Sequence, residues 1–128
     1  MRDIALLLGR VLMAAIFVWS GFSKLTHYDA VQPFIVSLGM PGWFLVLIIL
    51  WELGGGLLLL LGAFTRPVAL ALAVFCLVSG FLVHLHPEDQ GQMINFMKNV
   101  AMAGGYLAYF VAGAGAFSLD RKLNLKWA

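Results

Sequence analysis

The chain of 128 residues is too apolar for a typical soluble domain. Hydrophobic residues make up 62% of it and charged residues only 11%, whereas a globular protein is ~45–50% apolar. The net charge of +2 is too small to favour nucleic acid as a partner. The single cysteine, Cys76, permits neither an intrachain disulfide nor a CxxC redox pair. We therefore expect one membrane domain over residues 1–128, embedded in the lipid bilayer.

Four apolar segments predict four membrane-spanning helices, since ~20 residues of helix cross the hydrocarbon core of a bilayer. They run from Ile4 to Phe22, from Trp43 to Phe64, from Pro67 to Leu85 and from about Ile94 to Gly115. The first loop, His27 to Gly42, is amphipathic and predicts a short interfacial helix.

The basic residues outside these segments predict the orientation of the helices. Five lie on the side of the two termini and two on the other side: Arg2, Arg66, Arg121, Lys122 and Lys126 against Lys24 and Lys98. Cytoplasmic loops of membrane proteins are enriched in Lys and Arg. The predicted fold is therefore all-α, a four-helix transmembrane bundle with both termini in the cytoplasm.

Glu52 is the one acidic residue in the second segment, ~13 Å from either end at a rise of 1.5 Å per residue. A lone carboxylate near the bilayer midplane is costly, and such residues usually pair with a cation or mark a site. Glycines let another helix come close in lipid. We therefore expect Glu52 to lie on or beside a packed helix face, with five glycines as helix-packing residues: Gly54, Gly55, Gly56, Gly104 and Gly105.

The other polar residues of the segments group by depth around Glu52. Lys24, His84, Asn95, Lys98 and Asn99 lie within about two helical turns of the outer surface, whereas Arg10 approaches from the inner side. We expect Lys98, Arg10 or Lys24 to contact Glu52 directly or through one water, because an unpaired buried carboxylate would tend to protonate. Two interpretations stay open: an ion pair that fixes helix register, and a polar pocket that opens outward.

A pocket would lie between the second and fourth helices. Met102 and Tyr106 share a helical face with Asn95 and Asn99 and are predicted to line it. Tyr109 lies near the depth of Arg10 and is a further lining candidate. No metal site is expected, because His84 and His86 point ~200° apart on a continuous helix.

Four stretches of the sequence resemble the DoxX family of small bacterial membrane proteins: GRVLMAAIFVWSGFSKL, ELGGGLLLLLGAFTRPVALAL, the segment around His84 and KNVAMAGGYLAYFVAGAGAFSLD. The resemblance covers nearly the whole chain in order. It implies a four-helix bundle in the bacterial inner membrane, similar in architecture to vitamin K epoxide reductase. The family pattern maps onto Arg10, Ser20, Gly21, Lys24, Glu52, Gly55, Thr65, Arg66, His84, Lys98, Asn99 and Asp120.

The resemblance also implies an association with redox complexes. Some DoxX proteins are membrane subunits of a thiosulfate–quinone oxidoreductase, and others join oxidoreductase assemblies that handle oxidative and thiol stress. The CxxC of the epoxide reductase is absent here, so we do not expect thiol–disulfide catalysis within this chain.

Three functions remain open. The first is a membrane subunit of a quinone-linked oxidoreductase or redox-stress complex, in which Glu52, His84 and Lys98 exchange protons with a quinone. The sequence has no haem, flavin or iron–sulfur motif, so we expect no covalently bound cofactor, and electrons would come from a partner redox subunit. The second is a non-catalytic accessory or scaffold subunit, with other proteins or further copies of this chain as partners. The third is a small-molecule transporter or lipid-binding membrane protein.

Overall fold

The computed structural model describes all residues 1–128 and contains helices but no strands. The prediction of an all-α fold is therefore confirmed. The helices are α1 Arg2–Thr26, α2 Tyr28–Ser37, α3 Phe44–Leu61, α4 Thr65–His84, α5 Gln90–Ala112 and the short α6 Leu119–Lys122.

Three of the helices, α1, α3 and α4, are long and apolar enough to cross a membrane. They coincide with the first three predicted segments, and α2 lies in the loop for which an interfacial helix was expected. Helix α5 is also long, with 23 residues, but Asn95, Lys98 and Asn99 make its first half polar. The observed start of α4 at Thr65 puts Pro67 in the first turn of that helix, where its missing N–H costs no hydrogen bond.

The four long helices form a ring in which α1 packs on α3, α3 on α4, α4 on α5, and α5 returns to α1. Each contributes to one hydrophobic core, represented by Phe17, Leu59, Leu72 and Tyr106. The ring of Phe17 also meets the ring of Phe75 edge to face, with centroids 5.7 Å apart. One contiguous core of this kind fixes the relative positions of all four helices.

Glycines bring α1 and α3 into backbone contact. A Cβ added to Gly21 would lie 2.7 Å from the backbone nitrogen of Leu53, and one added to Gly56 would lie 3.0 Å from that of Val18. These distances leave no room for a side chain at either position. The two helices therefore cross as closely as small-residue interfaces in membranes do.

The other glycines that were predicted to pack helices differ in their surroundings. Gly55 and Gly105 face side chains of a neighbouring helix, but Gly54 and Gly104 have no atom of another helix within 4 Å. The prediction that those two pack helices together within the chain is wrong. Successive helical residues point ~100° apart, so adjacent glycines cannot all face the same neighbour.

Two short stretches of α3 and α4 are π-helical rather than α-helical, Leu50–Gly54 and Gly80–His84. Both lie toward the end of the bundle that carries α2 and the loop 85–89, which we call the loop end. The opposite end, with the residues near Met1 and the segment 113–128, is the terminal end. Single π turns inside α-helices are rare and are frequent at functional sites.

Candidate functional site

Glu52 and Lys24 form an ion pair between α3 and α1. The ammonium nitrogen Nζ of Lys24 lies 3.0 Å from Oε2 and 3.1 Å from Oε1 of Glu52, and it also donates to Oγ of Ser20 at 2.7 Å. The Glu52 side chain is 6% exposed and that of Lys24 is 26% exposed. Lys24 is therefore the more accessible half of the pair.

The local backbone positions this pair. Glu52 is the middle residue of the π turn Leu50–Gly54, and that turn rests directly on Gly21 of α1. Ser20 and Lys24 flank Gly21 at a spacing of four residues, so they lie on one face of α1. Because the Cα–Cβ bonds of a helix tilt toward its N-terminus, Lys24 extends back along α1 to the level of Ser20. This direction takes its ammonium group into the bundle.

The structure does not bring the other two predicted cations to Glu52. Lys98 is exposed on α5, which packs mainly on α4, and it forms no hydrogen bond or ion pair. Arg10 is buried at the terminal end. Asn95 is exposed as well, on the same side of α5 as Lys98.

Asn99 joins α5 to α4 just before the second π turn. Its Nδ2 donates to the backbone oxygen of Cys76 at 3.0 Å and lies 3.2 Å from Oγ of Ser79. His84, at the end of that π turn, has Nδ1 2.7 Å from Oε1 of Gln92 and so ties the end of α4 to the start of α5. These two predicted site residues therefore hold helices at the loop end together, and neither bonds to Glu52.

The three predicted lining residues of α5 belong to the helix packing. Tyr106 is fully buried, its ring centroid lies 5.6 Å from that of Phe17, and its hydroxyl donates to the backbone oxygen of Met13 at 2.7 Å. Tyr109 donates likewise to the oxygen of Leu6 at 2.9 Å, rather than bonding to Arg10. Met102 packs against the same core.

Arg10 takes part in a second buried polar group at the terminal end. Its side chain donates to the backbone oxygens of Ala114 at 3.1 Å and Phe117 at 2.6 Å. Gly62 lies against the guanidinium group, with no space for a Cβ. Arg10 thus holds the segment 113–118 against α1 instead of pairing with Glu52.

Asp120 completes this group by capping α4. Its two carboxylate oxygens accept from the backbone N–H groups of Phe64 at 2.7 Å and Thr65 at 2.9 Å, and its own N–H donates to the oxygen of Gly62. A carboxylate is favoured at a helix N-terminus, where N–H groups lack intrahelical partners. We call Arg10, Gly62 and Asp120, with the backbone they bind, the terminal clasp.

The clasp was not predicted from the sequence, because the last predicted helix ends at Gly115 and no structure was assigned to the residues after it. The only available signal was the family pattern, which includes Arg10 and Asp120 and gave no physical reason for them. Asp120 is 0% exposed, and such burial depends on contacts between residues far apart in the chain.

Comparisons with known proteins identify the family of this chain. The model of the DoxX family matches residues 5–85, which cover most of α1 and all of α2 to α4. The chain belongs to the DoxX family. No solved structure matches this DoxX protein significantly.

Two curated relatives extend the match beyond α4. This DoxX protein is 41% identical to the inner membrane protein YqjF of Escherichia coli K12 over 127 residues, covering 99% of the chain and 98% of that protein. It is 34% identical to the inner membrane protein YphA of the same organism, covering 94% of the chain and 91% of that protein. With three apolar helices of spanning length, it is a multi-pass protein of the bacterial inner membrane.

Proposed function

We propose that this DoxX protein is the membrane subunit of a quinone-linked oxidoreductase, and that its Glu52–Lys24 pair is the proton-exchanging site. The observation that carries the proposal is the asymmetry of this pair: the Glu52 side chain is 6% exposed, whereas the Lys24 side chain that binds it is 26% exposed. A quinone head gains two protons on reduction and releases them on oxidation. It needs acid–base groups that it can reach from the bilayer.

The residues of the pair have distinct roles in this proposal. Lys24 is the group that a quinone oxygen meets first at the loop end, and its ammonium can donate a hydrogen bond to that oxygen. Glu52 accepts or returns the proton, because its carboxylate is the base nearest to Lys24. Ser20 receives one of the hydrogen bonds of Lys24 and keeps the ammonium group oriented. Glu52 lies in a π turn, and such turns are frequent at functional sites, which supports a functional role for the pair. The electrons pass to or from a partner subunit.

The first test is the quinone content of the purified protein. We expect Glu52→Gln to lower the ratio of bound quinone to protein on the order of tenfold, because Glu52 holds the Lys24 ammonium in place to donate to the quinone oxygen. One charge-assisted hydrogen bond contributes ~1.5–3 kcal/mol, and 1.4 kcal/mol is tenfold in affinity. The measurement is chromatography of lipid extracts from protein purified in a gentle detergent, compared with protein-free micelles.

The matched control is Glu88→Gln, because the Glu88 side chain is 74% exposed in the loop 85–89. This variant should bind as much quinone as the unchanged protein. Equal quinone in both variants, or no quinone above the protein-free micelles, would contradict the proposal.

A second candidate function is that of a non-catalytic accessory subunit. It is favoured by the surface of α5, where Gly104 faces open space and would let a partner helix approach closely. A partner that co-purifies in fixed ratio, and is lost when Gly104 is enlarged to leucine, would support this function. The same function would gain support if neither the unchanged protein nor the Glu52 variants contained bound quinone.

We also propose that α5 is a fourth span, which gives the four-helix architecture implied by the resemblance to vitamin K epoxide reductase. Both termini then lie on the same side of the membrane, and the excess of basic residues on that side makes it the cytoplasm. Its 23 residues extend ~34 Å at 1.5 Å per residue, and it packs along α4. The polar residues of its first half lie at the loop end, at the level of the membrane surface.

Reporter fusions test this topology. We expect alkaline phosphatase to be active when fused after Glu88, since the loop end then lies in the periplasm, and green fluorescent protein to fluoresce when fused after Ala128. The reciprocal fusions serve as controls and should be silent. The same reporter working at both positions would show that α5 does not cross the membrane.

A further inference from the structure

The short helix α2 packs on α3 immediately beyond the Glu52–Lys24 pair. Ile35 of α2 is buried in a cluster with Leu45 and Ile49 of α3. Ile49 precedes Glu52 by three residues, which is about one helical turn. Along α3, therefore, Lys24 of α1 contacts Glu52, and α2 contacts the next turn toward the loop end. This order of contacts places α2 on the loop-end side of the pair.

Helix α2 is attached less firmly than the other helices around the pair. The cluster of Ile35, Leu45 and Ile49 is separate from the main hydrophobic core. The one hydrogen bond of an α2 side chain stays within α2, and no hydrogen bond or ion pair joins α2 to another helix. Pro33 lies inside α2, where it removes a backbone hydrogen bond of the helix itself. The loop end is thus closed by apolar contacts alone, whereas hydrogen bonds of the terminal clasp close the opposite end.

The backbone can bend on both sides of α2. His27 is the single residue between α1 and α2, and it has φ −118° and ψ 36°, outside the helical region. Gly39, just after α2, has φ +89° and is followed by Pro41 and Gly42 before α3 begins. Hinges of mobile elements consist of a few such residues at the ends of helices. Helix α2 can therefore move as a unit while α1 and α3 stay packed through Gly21 and Gly56.

We propose that α2 is a lid, which swings away from α3 and opens the loop-end side of the Glu52–Lys24 pair. With α2 in place, the Glu52 side chain is 6% exposed, so a reactant gains access to it only when a neighbouring element moves. Lids are drawn from the least stable elements of a fold, as the separate packing of α2 requires. The molecule admitted, a quinone head, rests on the proposed function, whereas the opening of the lid does not.

The opening can be measured with a thiol introduced by Ile49→Cys, because Ile49 is only 6% exposed under α2. Purified protein in nanodiscs is treated with N-ethylmaleimide, which reacts with accessible thiols, and mass spectrometry of peptides gives the rate. Adding Ile35→Ala should raise the rate at position 49 by at least about tenfold, the effect of truncating a buried isoleucine on such an equilibrium. Cys76, buried in the main core, is the internal reference and should keep its rate.

A second measurement shows whether the lid covers the ion pair. Sulfosuccinimidyl acetate acetylates accessible lysines, and Lys98, which is exposed on α5, serves as the reference for Lys24 in the same sample. Ile35→Ala should raise the ratio of acetylation at Lys24 to that at Lys98 several-fold. Neither measurement needs a bound quinone. The expected rates in a protein that contains no quinone would contradict the proposed function and leave the lid in place.

Val36→Ala is the matched control, because Val36 is the neighbour of Ile35 on α2 and is 54% exposed. It should change neither rate. Equal rates at position 49 in Ile35→Ala and Val36→Ala would overturn the proposal, and so would a rise at position 49 without a rise at Lys24. If Ile35→Ala also made Cys76 reactive, the bundle would have loosened, and the milder Ile35→Val decides: a several-fold rise at position 49 alone supports the lid, and no rise overturns it.

Discussion

Replacing Lys24 with methionine is expected to destabilise the bundle by ~3–5 kcal/mol at neutral pH, the usual cost of breaking a buried ion pair from one side. Lys24 is the only cation on Glu52, and the Glu52 side chain is 6% exposed. Its carboxylate would remain in an apolar environment without a partner. The free energy of unfolding can be measured by denaturant titration in mixed micelles, followed by circular dichroism.

Two further variants test whether the loss of stability comes from breaking the ion pair or from removing any lysine. Lys122→Met, at an exposed position, should change stability by less than ~0.5 kcal/mol. The double variant Lys24→Met, Glu52→Leu should recover much of the loss, because a well-packed apolar pair can replace a buried ion pair at little cost. A double variant as unstable as Lys24→Met alone would show that the loss does not come from the unpaired carboxylate.

Replacing Gly62 with alanine is expected to cost ~2–5 kcal/mol, through backbone strain and disruption of the terminal clasp. Gly62 has a φ of +70°, a conformation that costs a residue with a Cβ ~1–2 kcal/mol. The added methyl group would also overlap Nη1 of Arg10. The guanidinium group would then leave the oxygen of Ala114, and an unsatisfied buried acceptor costs ~1–3 kcal/mol.

Gly104→Ala is the control for this substitution. Gly104 lies inside α5 with no neighbouring atom within 4 Å, so alanine should leave stability unchanged or raise it by up to ~1 kcal/mol. The same denaturant titration applies, and limited proteolysis should show earlier cleavage of the segment 113–128 in Gly62→Ala only. Equal stability of the two variants would mean that the clasp does not hold the terminal end closed.

Much of the fold could be predicted from the sequence, because a long apolar run has few stable structures other than a membrane-spanning helix. The three runs that became α1, α3 and α4 were recognisable from length and hydropathy, and α2 from its amphipathic loop. The π turns were not recognisable. A single widened turn depends on packing, such as the contact between Gly21 and the backbone of Leu53, and leaves no periodic signature in the sequence.

The sequence predicted that Glu52 would have a cationic partner, but it did not predict which of three cations this partner would be. A lone acidic residue inside an apolar helix requires a partner, which directed attention to Glu52 and to three cations. Depth along straight helices favoured Lys98 and Arg10 as strongly as Lys24, because it ignored the direction of side chains and the order of helices around the ring. The burial of Tyr106 was missed for a similar reason: a helical face can be assigned to a neighbour only when the neighbour is known.

The cap on α4 can form only late in the synthesis of the chain. Asp120 binds the N–H of Thr65 across a separation of 55 residues, so α4 begins without the group that completes its first turn. At a synthesis rate of ~5–20 residues per second, the cap follows the helix start by ~3–11 s. By the time Asp120 is made, α1, α3, α4 and α5 have all been synthesised. The four long helices can therefore pack together before the hydrogen bonds that cap α4 form.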